Sequence, residues 1–436
     1  MKRLSLYLLL TFSCLYCVAA YKPVHLKTNS HNGVYKAGEK VIVWAETGEG
    51  CADDLIFTVE ENMSGTIIEK NISLKEGKTV LYSKKHKDPI HLVFKVALAE
   101  NPKRNSSVGI IVAPEKFTTG FKAPGDLREF WDDQIAQMRK MPMEPVLTKV
   151  KSPDPQIECY DLMIPMPEGN PAWGYVAFPK KAAEKSLPIL IYAHSAGVEQ
   201  PDKRSNIETA VKDARRGNGA IAIDINAHGM PSDQPQEYYD SLAKGPLKGY
   251  HSRPIKGHDS IYFRLMYLRI VRALDYLVTL PQWDGERVLI YGRSQGGGQA
   301  GALAGIDSRI TASCMEVPGM MDIGAKLDNG RKGSYPSGYA KHAEREKERA
   351  FVPYYDAAIL LGMTKADIFM EAGLIDTACP APCIAAGYNN AASPEKKILF
   401  SPYRPHSSKS IDFRHKQEWK ESILDAREAF IENHLK

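Results

Sequence analysis

Residues 287–298 read Arg-Val-Leu-Ile-Tyr-Gly-Arg-Ser-Gln-Gly-Gly-Gly, an apolar run that leads into a serine set among glycines. An apolar run of this length is typical of a strand that is buried on both faces. Gly292 and Gly296 flank Ser294 as in a sharp strand-to-helix turn, where a nearby side chain would clash. We therefore predict a buried strand, a strained turn at Ser294 and a helix that begins at Gln295.

Strand-like and helix-like segments alternate on both sides of this turn. Paired strands are predicted at 157–166 and 173–178, and buried strands at 187–194, 220–226, 312–317, 367–372 and 397–403. Apolar residues at helical spacing mark 262–277 and 419–435. Such alternation predicts an α/β fold, in which helices cover a doubly wound, mostly parallel sheet.

The amino-terminal part of the chain has a different pattern. Between residues 22 and 115, short runs rich in β-branched and aromatic residues are separated by turn signals. This spacing predicts a small all-β, immunoglobulin-like sandwich. We assign residues 21–115 to this accessory domain and 116–436 to an α/β catalytic domain. We also expect residues 120–436 to fold and act without the sandwich.

The first twenty residues are typical of a signal peptide. Lys2 and Arg3 precede an apolar run of about 15 residues, and small residues allow cleavage after Ala20. We predict a secreted or periplasmic protein with no integral membrane span once the signal is removed, and a retained anchor helix is the alternative. No later segment reaches the roughly 18 uninterrupted apolar residues of a membrane span.

Charge and cysteine content exclude several classes of protein. The net charge is only +5, from 57 basic and 52 acidic side chains, so no nucleic-acid partner is expected. Five cysteines follow the signal, which is an odd number and too few for a disulfide scaffold. Cys379 and Cys383 lack the second ligand pair of a zinc site, so we expect no metal and no cofactor. Free buried thiols are favoured there over a local disulfide.

Ser294 could act as a nucleophile if a base and an orienting acid lie within reach. In folds with this turn the acid and then the base follow the serine along the chain. His406 lies in a loop just after strand 397–403, where such sheets keep their chemistry. His415 and His434 are the alternatives, and both lie near predicted helices.

Asp376 is the best candidate for the acid because it follows strand 367–372 at the same edge of the sheet. Asp356 lies in a helical stretch, and Asp367 begins a strand at the wrong end. The backbone N–H of Gln295 is expected to stabilise an oxyanion, with a second donor from the loop Ser195-Ala196-Gly197. His194 and Ser195 are interpreted as scaffold rather than as a second catalytic pair.

From about Phe121 onward, the chain resembles the acetyl xylan esterase and cephalosporin C deacetylase family of carbohydrate esterases. The matching motifs are 126–131 (DLREFW), 280–284 (LPQWD) through 294–298 (SQGGG), 354–356 (YYD), 373–380 (GLIDTACP) and 405–406 (PH). The family's serine, aspartate and histidine fall on Ser294, Asp376 and His406. The resemblance implies an α/β-hydrolase fold and removal of acetyl groups from sugars without a metal.

The chain departs from the family pattern at three places. Ala196 stands where the family has a tyrosine in the oxyanion loop; it can still supply the backbone N–H but not the ring. Ser407 replaces a glutamate, and Asn226-Ala227-His228-Gly229 replaces an Arg-Gly-Gln-Gly-like turn. These differences bear on the identity of the substrate more than on the type of reaction.

Together these observations predict a serine hydrolase that removes short acyl groups, above all acetyl, from oligo- or polysaccharides through an acyl-enzyme on Ser294. A prolyl-oligopeptidase-like peptidase shares the turn, but it usually carries a large propeller domain that about 90 residues cannot form. The other alternative is a non-catalytic carbohydrate-binding protein with the same fold. The presence of Ser294, Asp376 and His406 argues against this alternative.

Overall fold

The computed structural model describes residues 24–48, 52–327 and 330–436. The predicted signal peptide and Cys51 lie outside the described residues. Within these three ranges, no helix combines the length and the apolar character that crossing a bilayer requires.

Residues 25–112 form eight described strands in two sheets, which we call the β unit. The strands are β1 (His25–Thr28), β2 (Val34–Tyr35), β3 (Lys40–Thr47), β4 (Ala52–Glu61), β5 (Gly65–Leu74), β6 (Gly77–Lys85), β7 (Ile90–Leu98) and β8 (Asn105–Val112). Their orders are β1-β3-β6 and β2-β8-β7-β4-β5, and all pairs except β2–β8 are antiparallel.

The two sheets of the β unit share one hydrophobic core. Alternate side chains of β3 are buried, at Val41, Val43 and Ala45, as expected for a strand with one solvent-facing side. Inward residues of the other sheet, such as Phe57 and Phe94, belong to the same cluster. The segment predicted to be all-β is therefore built from strands, while its likeness to an immunoglobulin domain stays a prediction.

The rest of the described chain is organised around a nine-stranded sheet. Its strands are β9 (Val146–Val150), β10 (Ile157–Ile164), β11 (Ala172–Pro179), β12 (Leu187–Ala193), β13 (Ile221–Ile225), β14 (Trp283–Arg293), β15 (Ala312–Glu316), β16 (Asp367–Gly373) and β17 (Lys396–Ser401). The order is β17-β16-β15-β14-β12-β13-β11-β10-β9. The strands from β17 to β13 run parallel, and the three at the other edge are antiparallel. The predicted large, mostly parallel sheet is confirmed.

Helices cover both faces of this sheet, which is why all five residues of β13 are buried. The described α-helices are α1 (Leu127–Arg139), α2 (Ile207–Asp213), α3 (Gln236–Lys244), α4 (Tyr262–Leu277), α5 (Gln295–Ile306), α6 (Ser337–Glu344), α7 (Glu346–Arg349), α8 (Ala357–Leu360), α9 (Ala381–Asn390), α10 (Phe413–Trp419) and α11 (Asp425–Leu435). The closing helix predicted over 419–435 contains a π-helical segment, Lys420–Leu424, between α10 and α11. Helix α5 follows β14 with Ser294 between them, as predicted.

The β unit packs against the carboxyl-terminal edge of the large sheet. The His91 side chain is fully buried there, and its Nε2 lies 2.8 Å from the Leu374 carbonyl oxygen. Because a carbonyl only accepts hydrogen bonds, Nε2 carries the proton and the ring is a donor. Burial lowers the pKa of His91 to about 4. The folded protein therefore keeps this ring neutral in mildly acidic solution.

We expect His91 to make stability depend on pH below neutrality. An unfolded chain protonates this histidine below about pH 6.5, whereas the folded protein does so only near pH 4. The unfolded state thus binds more protons in that window, so stability is full above it and falls as the pH drops through it. This one group should remove about 2 kcal/mol of unfolding free energy between about pH 7 and about pH 5.

The test is urea unfolding of the parent and of His91→Gln at both pH values. Glutamine keeps an N–H donor and does not titrate, so this variant should lose less stability on acidification. An equal loss in both proteins would contradict the assignment of His91 as a buried neutral ring.

Candidate active site

Ser294 occupies a strained turn between β14 and α5. Its φ of 57° and ψ of −121° are rare for a residue with a side chain. Backbone hydrogen bonds hold it on both sides: its N–H donates to the Glu316 carbonyl at 2.9 Å, and its carbonyl accepts from Gly298 and Gly319. A conformation this costly persists because its surroundings determine it, and such positions cluster at functional sites.

Close packing at the turn accounts for Gly296. A Cβ atom added there would lie 2.0 Å from the carbonyl oxygen of Ala193, the last residue of β12. The loop after β12 is therefore pressed against the Ser294 turn. The Ser195 hydroxyl donates to the Arg293 carbonyl at 3.0 Å, so the side chain interpreted as scaffold has a structural partner.

The structure brings Ser294, His406 and Asp376 into one hydrogen-bonded chain. Ser294 Oγ lies 2.9 Å from His406 Nε2, and His406 Nδ1 lies 2.8 Å from Asp376 Oδ2. The other carboxylate oxygen of Asp376 accepts from the backbone N–H groups of Ala378 and Cys379. Asp376 is fully buried, whereas the His406 side chain is 31% exposed. Such an arrangement can activate a hydroxyl for nucleophilic attack.

The competing acids and bases lie elsewhere. The His415 ring stacks on Tyr403 with the centroids 3.4 Å apart, and His434 Nε2 lies 3.1 Å from the Asp367 carboxylate. Asp356 is buried and accepts hydrogen bonds from three backbone N–H groups, those of Asp322, Ile323 and Ala358. Burial raises the pKa of Asp356 to about 8.

Two arginines that the sequence analysis did not single out hold the backbone of His406. Arg293 Nη2 and Arg404 Nη1 donate to its carbonyl oxygen at 2.8 and 2.9 Å. Arg404 is itself buried between Glu316 and Glu371, with 2.8 Å contacts to each. Arg293 fills the variable position of the Gly-x-Ser-x-Gly pattern, so no sequence signal pointed to it.

The predicted oxyanion donors are on the two segments that meet at the turn. Gln295 is the first residue of α5, so its N–H has no acceptor within the helix. Ala196 lies in the loop that packs on the turn. The same loop is braced by His228, whose Nε2 donates to the Gly197 carbonyl at 3.1 Å while its Nδ1 accepts from the Tyr262 hydroxyl. Burial lowers the pKa of His228 to about 3, which keeps the ring neutral.

His194, at the start of this loop, is also tied to a structural partner. Its Nε2 is hydrogen-bonded to the Asp224 carboxylate, and both side chains are buried. Its backbone carbonyl accepts from Gln299 of α5 at 3.1 Å. Through these contacts His194 holds the loop against strand β13 and helix α5. This agrees with the interpretation of His194 as scaffold.

A cleft of about 520 Å³ opens beside the loop that holds Ala196. Its walls include Ala196, Gln200, Leu247, Tyr250, His251 and Tyr335. The Tyr250 hydroxyl donates to Gln295 Oε1 at 2.6 Å, and the Tyr335 hydroxyl lies 3.5 Å from the same atom. Burial raises the pKa of both phenols, that of Tyr335 to about 12, so both remain protonated.

Cys379 lies next to the Ser294 site. In the described part of the chain, one group of three potential metal ligands has donor atoms within 4.8 Å of one another: Asp376, Cys379 and His406. Burial raises the pKa of the Cys379 thiol well above its usual range, which disfavours the thiolate that metals bind. The four described cysteines, Cys159, Cys314, Cys379 and Cys383, are all free and buried.

The chain is similar to a known protein family and to a curated protein. The sequence model of a family described as acetyl xylan esterase (AXE1) matches residues 115–423. The acetyl esterase Axe7A of Xylanibacter ruminicola is 27% identical over 391 residues, which is 87% of this chain and 85% of that protein.

Two solved structures share the architecture of the chain. An acetyl xylan esterase from Paenibacillus sp. R4 superposes with a TM-score of 0.58 at 24% identity, over 73% of this chain and 98% of that one. Acetyl xylan esterase 1 from Thermoanaerobacterium sp. JW/SL YS485 gives 0.54 at 22%, over 74% and 98%. At this identity the likeness concerns the fold, and it confirms the predicted α/β-hydrolase architecture.

Proposed function

Because the chain belongs to the acetyl xylan esterase family, and is therefore an esterase, we propose that it removes acetyl groups from carbohydrate by a serine mechanism centred on Ser294. The observation that carries the proposal is the chain of hydrogen bonds from Ser294 through His406 to Asp376. A nucleophile, a base and an orienting acid are the groups that acyl transfer from an ester requires.

In the first half of the reaction, Ser294 Oγ attacks the acetyl carbon while its proton passes to His406 Nε2. Asp376 holds the imidazole by accepting from Nδ1 and stabilises the charge that the ring acquires. Collapse of the tetrahedral intermediate breaks the bond to the sugar oxygen. The proton on Nε2 is then delivered to that oxygen, and the deacetylated alcohol departs. The acetyl group stays bound to Ser294 as the acyl-enzyme.

The negative charge on the carbonyl oxygen is stabilised by the backbone N–H groups of Gln295 and Ala196. The support for Gln295 is its place at the amino terminus of α5, where the helix dipole also favours negative charge. The support for Ala196 is the packing of its loop on the turn, which Ser195 and His228 secure. In the second half, water attacks the acetyl carbon while its proton passes to His406 Nε2. Collapse of this intermediate breaks the bond to Ser294 Oγ, which takes the proton back, and acetate is released.

We propose an acetylated oligo- or polysaccharide as the substrate, bound in the cleft beside the oxyanion loop. The partly exposed Tyr335 ring and its protonated hydroxyl offer stacking and hydrogen bonding to a sugar, whereas Tyr250 is buried behind it with its hydroxyl bound to Gln295. The name of the Xylanibacter relative, an acetyl esterase, agrees with the acyl group proposed here.

The domain division and the cellular location are part of the same proposal. An immunoglobulin-like accessory domain over 21–115 and a catalytic domain over 116–436 are supported by the separate core of the β unit and by a family match that begins at residue 115. Export to the periplasm or the medium is supported by the signal-like pattern of residues 2–20.

We expect the protein to release acetate from acetylated xylo-oligosaccharides and to hydrolyse p-nitrophenyl acetate at least about tenfold faster than p-nitrophenyl octanoate. A chelator such as EDTA should leave both rates unchanged, because the mechanism uses no metal. The measurement is acetate release and absorbance under initial-rate conditions, with a dipeptide p-nitroanilide as the comparison. Cleavage of the anilide in preference to the esters would favour a peptidase, and binding of the oligosaccharide without acetate release would favour a non-catalytic protein.

A further inference from the structure

The β unit contacts both segments that carry the proposed acid and base. One is the turn after β16, in which Leu374 lies two residues before Asp376. The other is the segment after β17, in which Pro402 lies four residues before His406. The proposed reaction uses no residue of the β unit, so it does not explain why these contacts exist.

The first contact is a buried hydrogen bond from His91, on β7. Its Nε2–H donates to the Leu374 carbonyl at 2.8 Å, and both residues are shielded from water. The backbone that carries the ring is fixed as well, because the His91 N–H donates to the Asn62 side chain and the His91 carbonyl accepts from the Asn62 N–H. A donor held in this way defines where the Leu374 carbonyl must lie.

The second contact is made by Gly109, on β8. Its N–H donates to the Pro402 carbonyl at 2.9 Å. A Cβ atom added to Gly109 would lie 2.1 Å from the Leu374 carbonyl oxygen, so the two backbones touch and no side chain fits between them. The neighbouring strands β7 and β8 of the β unit thus contact both the segment that carries Asp376 and the segment that carries His406.

The two segments are also joined directly to each other. The Leu374 N–H donates to the Ser401 carbonyl at 2.9 Å, and the Tyr403 side chain packs into the core of the β unit. Leu374 is therefore held from both faces, by the β unit through its carbonyl and by the β17 end through its N–H. A shift of Leu374 would be passed over two residues to Asp376 and would change its contact with His406.

We infer that the β unit is a structural part of the active site, and that His91 is a positioning residue that sets the Asp376–His406 contact through the Leu374 carbonyl. The inference rests on the proposed function of Asp376 and His406. It departs from the expectation that residues 120–436 act alone, because those residues would leave the Leu374 carbonyl without its buried donor.

The test compares His91→Leu with His91→Gln in the full chain. Leucine cannot donate, and we expect kcat for p-nitrophenyl acetate to fall about tenfold to a hundredfold, with KM within about twofold of the parent. Glutamine places an amide N–H near the position of Nε2, so His91→Gln should keep kcat within about threefold. Val43→Ala, which removes packing in the β-unit core away from Leu374, is the control for a general loss of stability.

All variants are assayed well below their thermal midpoints. If His91→Leu does not fold, His91→Asn replaces it, because the shorter amide falls short of the Leu374 carbonyl. Parental kcat in the leucine or asparagine variant would overturn the inference. So would an equal loss of kcat in Val43→Ala, or a glutamine variant as impaired as the leucine variant.

A readout that does not depend on turnover separates this inference from the proposed function. The proton shared between His406 Nδ1 and Asp376 should give a far-downfield proton NMR signal, assigned by its absence in His406→Ala. We expect His91→Leu to shift or remove this signal and His91→Gln to keep it. An unchanged signal in His91→Leu would overturn the positioning role, whereas a parent protein that hydrolyses no ester would overturn the proposed function alone.

Discussion

Replacing Ser294 by alanine should lower kcat for p-nitrophenyl acetate by at least about a thousandfold. The hydroxyl removed is the one that lies 2.9 Å from His406 Nε2. Alanine can follow the same backbone path at φ 57°, and the backbone hydrogen bonds at the turn do not involve the side chain. The thermal midpoint should therefore stay close to that of the parent.

The measurement is steady-state kinetics together with a thermal melt, and Ser313→Ala is the matched control. Ser313 is also a buried serine, on the adjacent strand β15, and its hydroxyl donates to the Ala300 carbonyl at 3.1 Å. Its loss should alter kcat by less than about threefold, since that hydroxyl meets only backbone. Turnover by Ser294→Ala at the rate of the parent would exclude the acyl-enzyme mechanism.

Replacing His406 by alanine should have an effect of similar size, on the order of a thousandfold in kcat, because Ser294 would lose its base. His415→Ala is the informative comparison, since it removes the next histidine after His406 along the chain. The His415 ring is stacked on Tyr403 and lies 3.9 Å from the Glu418 carboxylate, so its loss should change kcat by less than about threefold.

Both variants are assayed side by side with p-nitrophenyl acetate, and their melting curves are compared. A dead His415→Ala beside an active His406→Ala would mean that the base is wrongly assigned. The role of Asp376 would then fall as well, because it depends on reaching the same imidazole.

Most strands of the large sheet were predictable because each one has an apolar pattern within its own short stretch of sequence. Apolar runs such as 221–225 are bounded by turn residues, and burial on both faces selects for them. The edge strand β9, Val-Leu-Thr-Lys-Val, was not predicted: its five residues are too few to show an alternation, and its apolar side chains are largely exposed at the edge of the sheet. The break between α10 and α11 also lacked a signal, since it contains neither proline nor glycine.

The positions of the candidate site residues were predictable from topology. In a parallel sheet the ends of neighbouring strands meet, so residues after β14, β16 and β17 were expected to come together. The structure places Ser294, Asp376 and His406 in that way. Their catalytic roles remain a prediction until the variants are measured.

The supports of the site could not be predicted, because each one joins distant parts of the chain. Arg404 contributes to holding His406 only because the strand register sets Glu316 beside Glu371 and so creates an acidic pair for it. Tyr250 reaches Gln295 from an irregular segment with no periodic signal. A pattern within a single window of sequence contains no information about such partners.

The hydrogen bond from His91 to Leu374 spans 283 positions of the sequence and so links the site to the order of folding. During synthesis the β unit emerges long before the segments that carry Asp376 and His406. Contacts between such distant segments form late, because the entropy of closing the intervening chain must first be overcome. The core of the β unit can thus assemble early, whereas the core of the large sheet includes Leu374 itself and is completed only when the segments that carry Asp376 and His406 dock onto strands made much earlier.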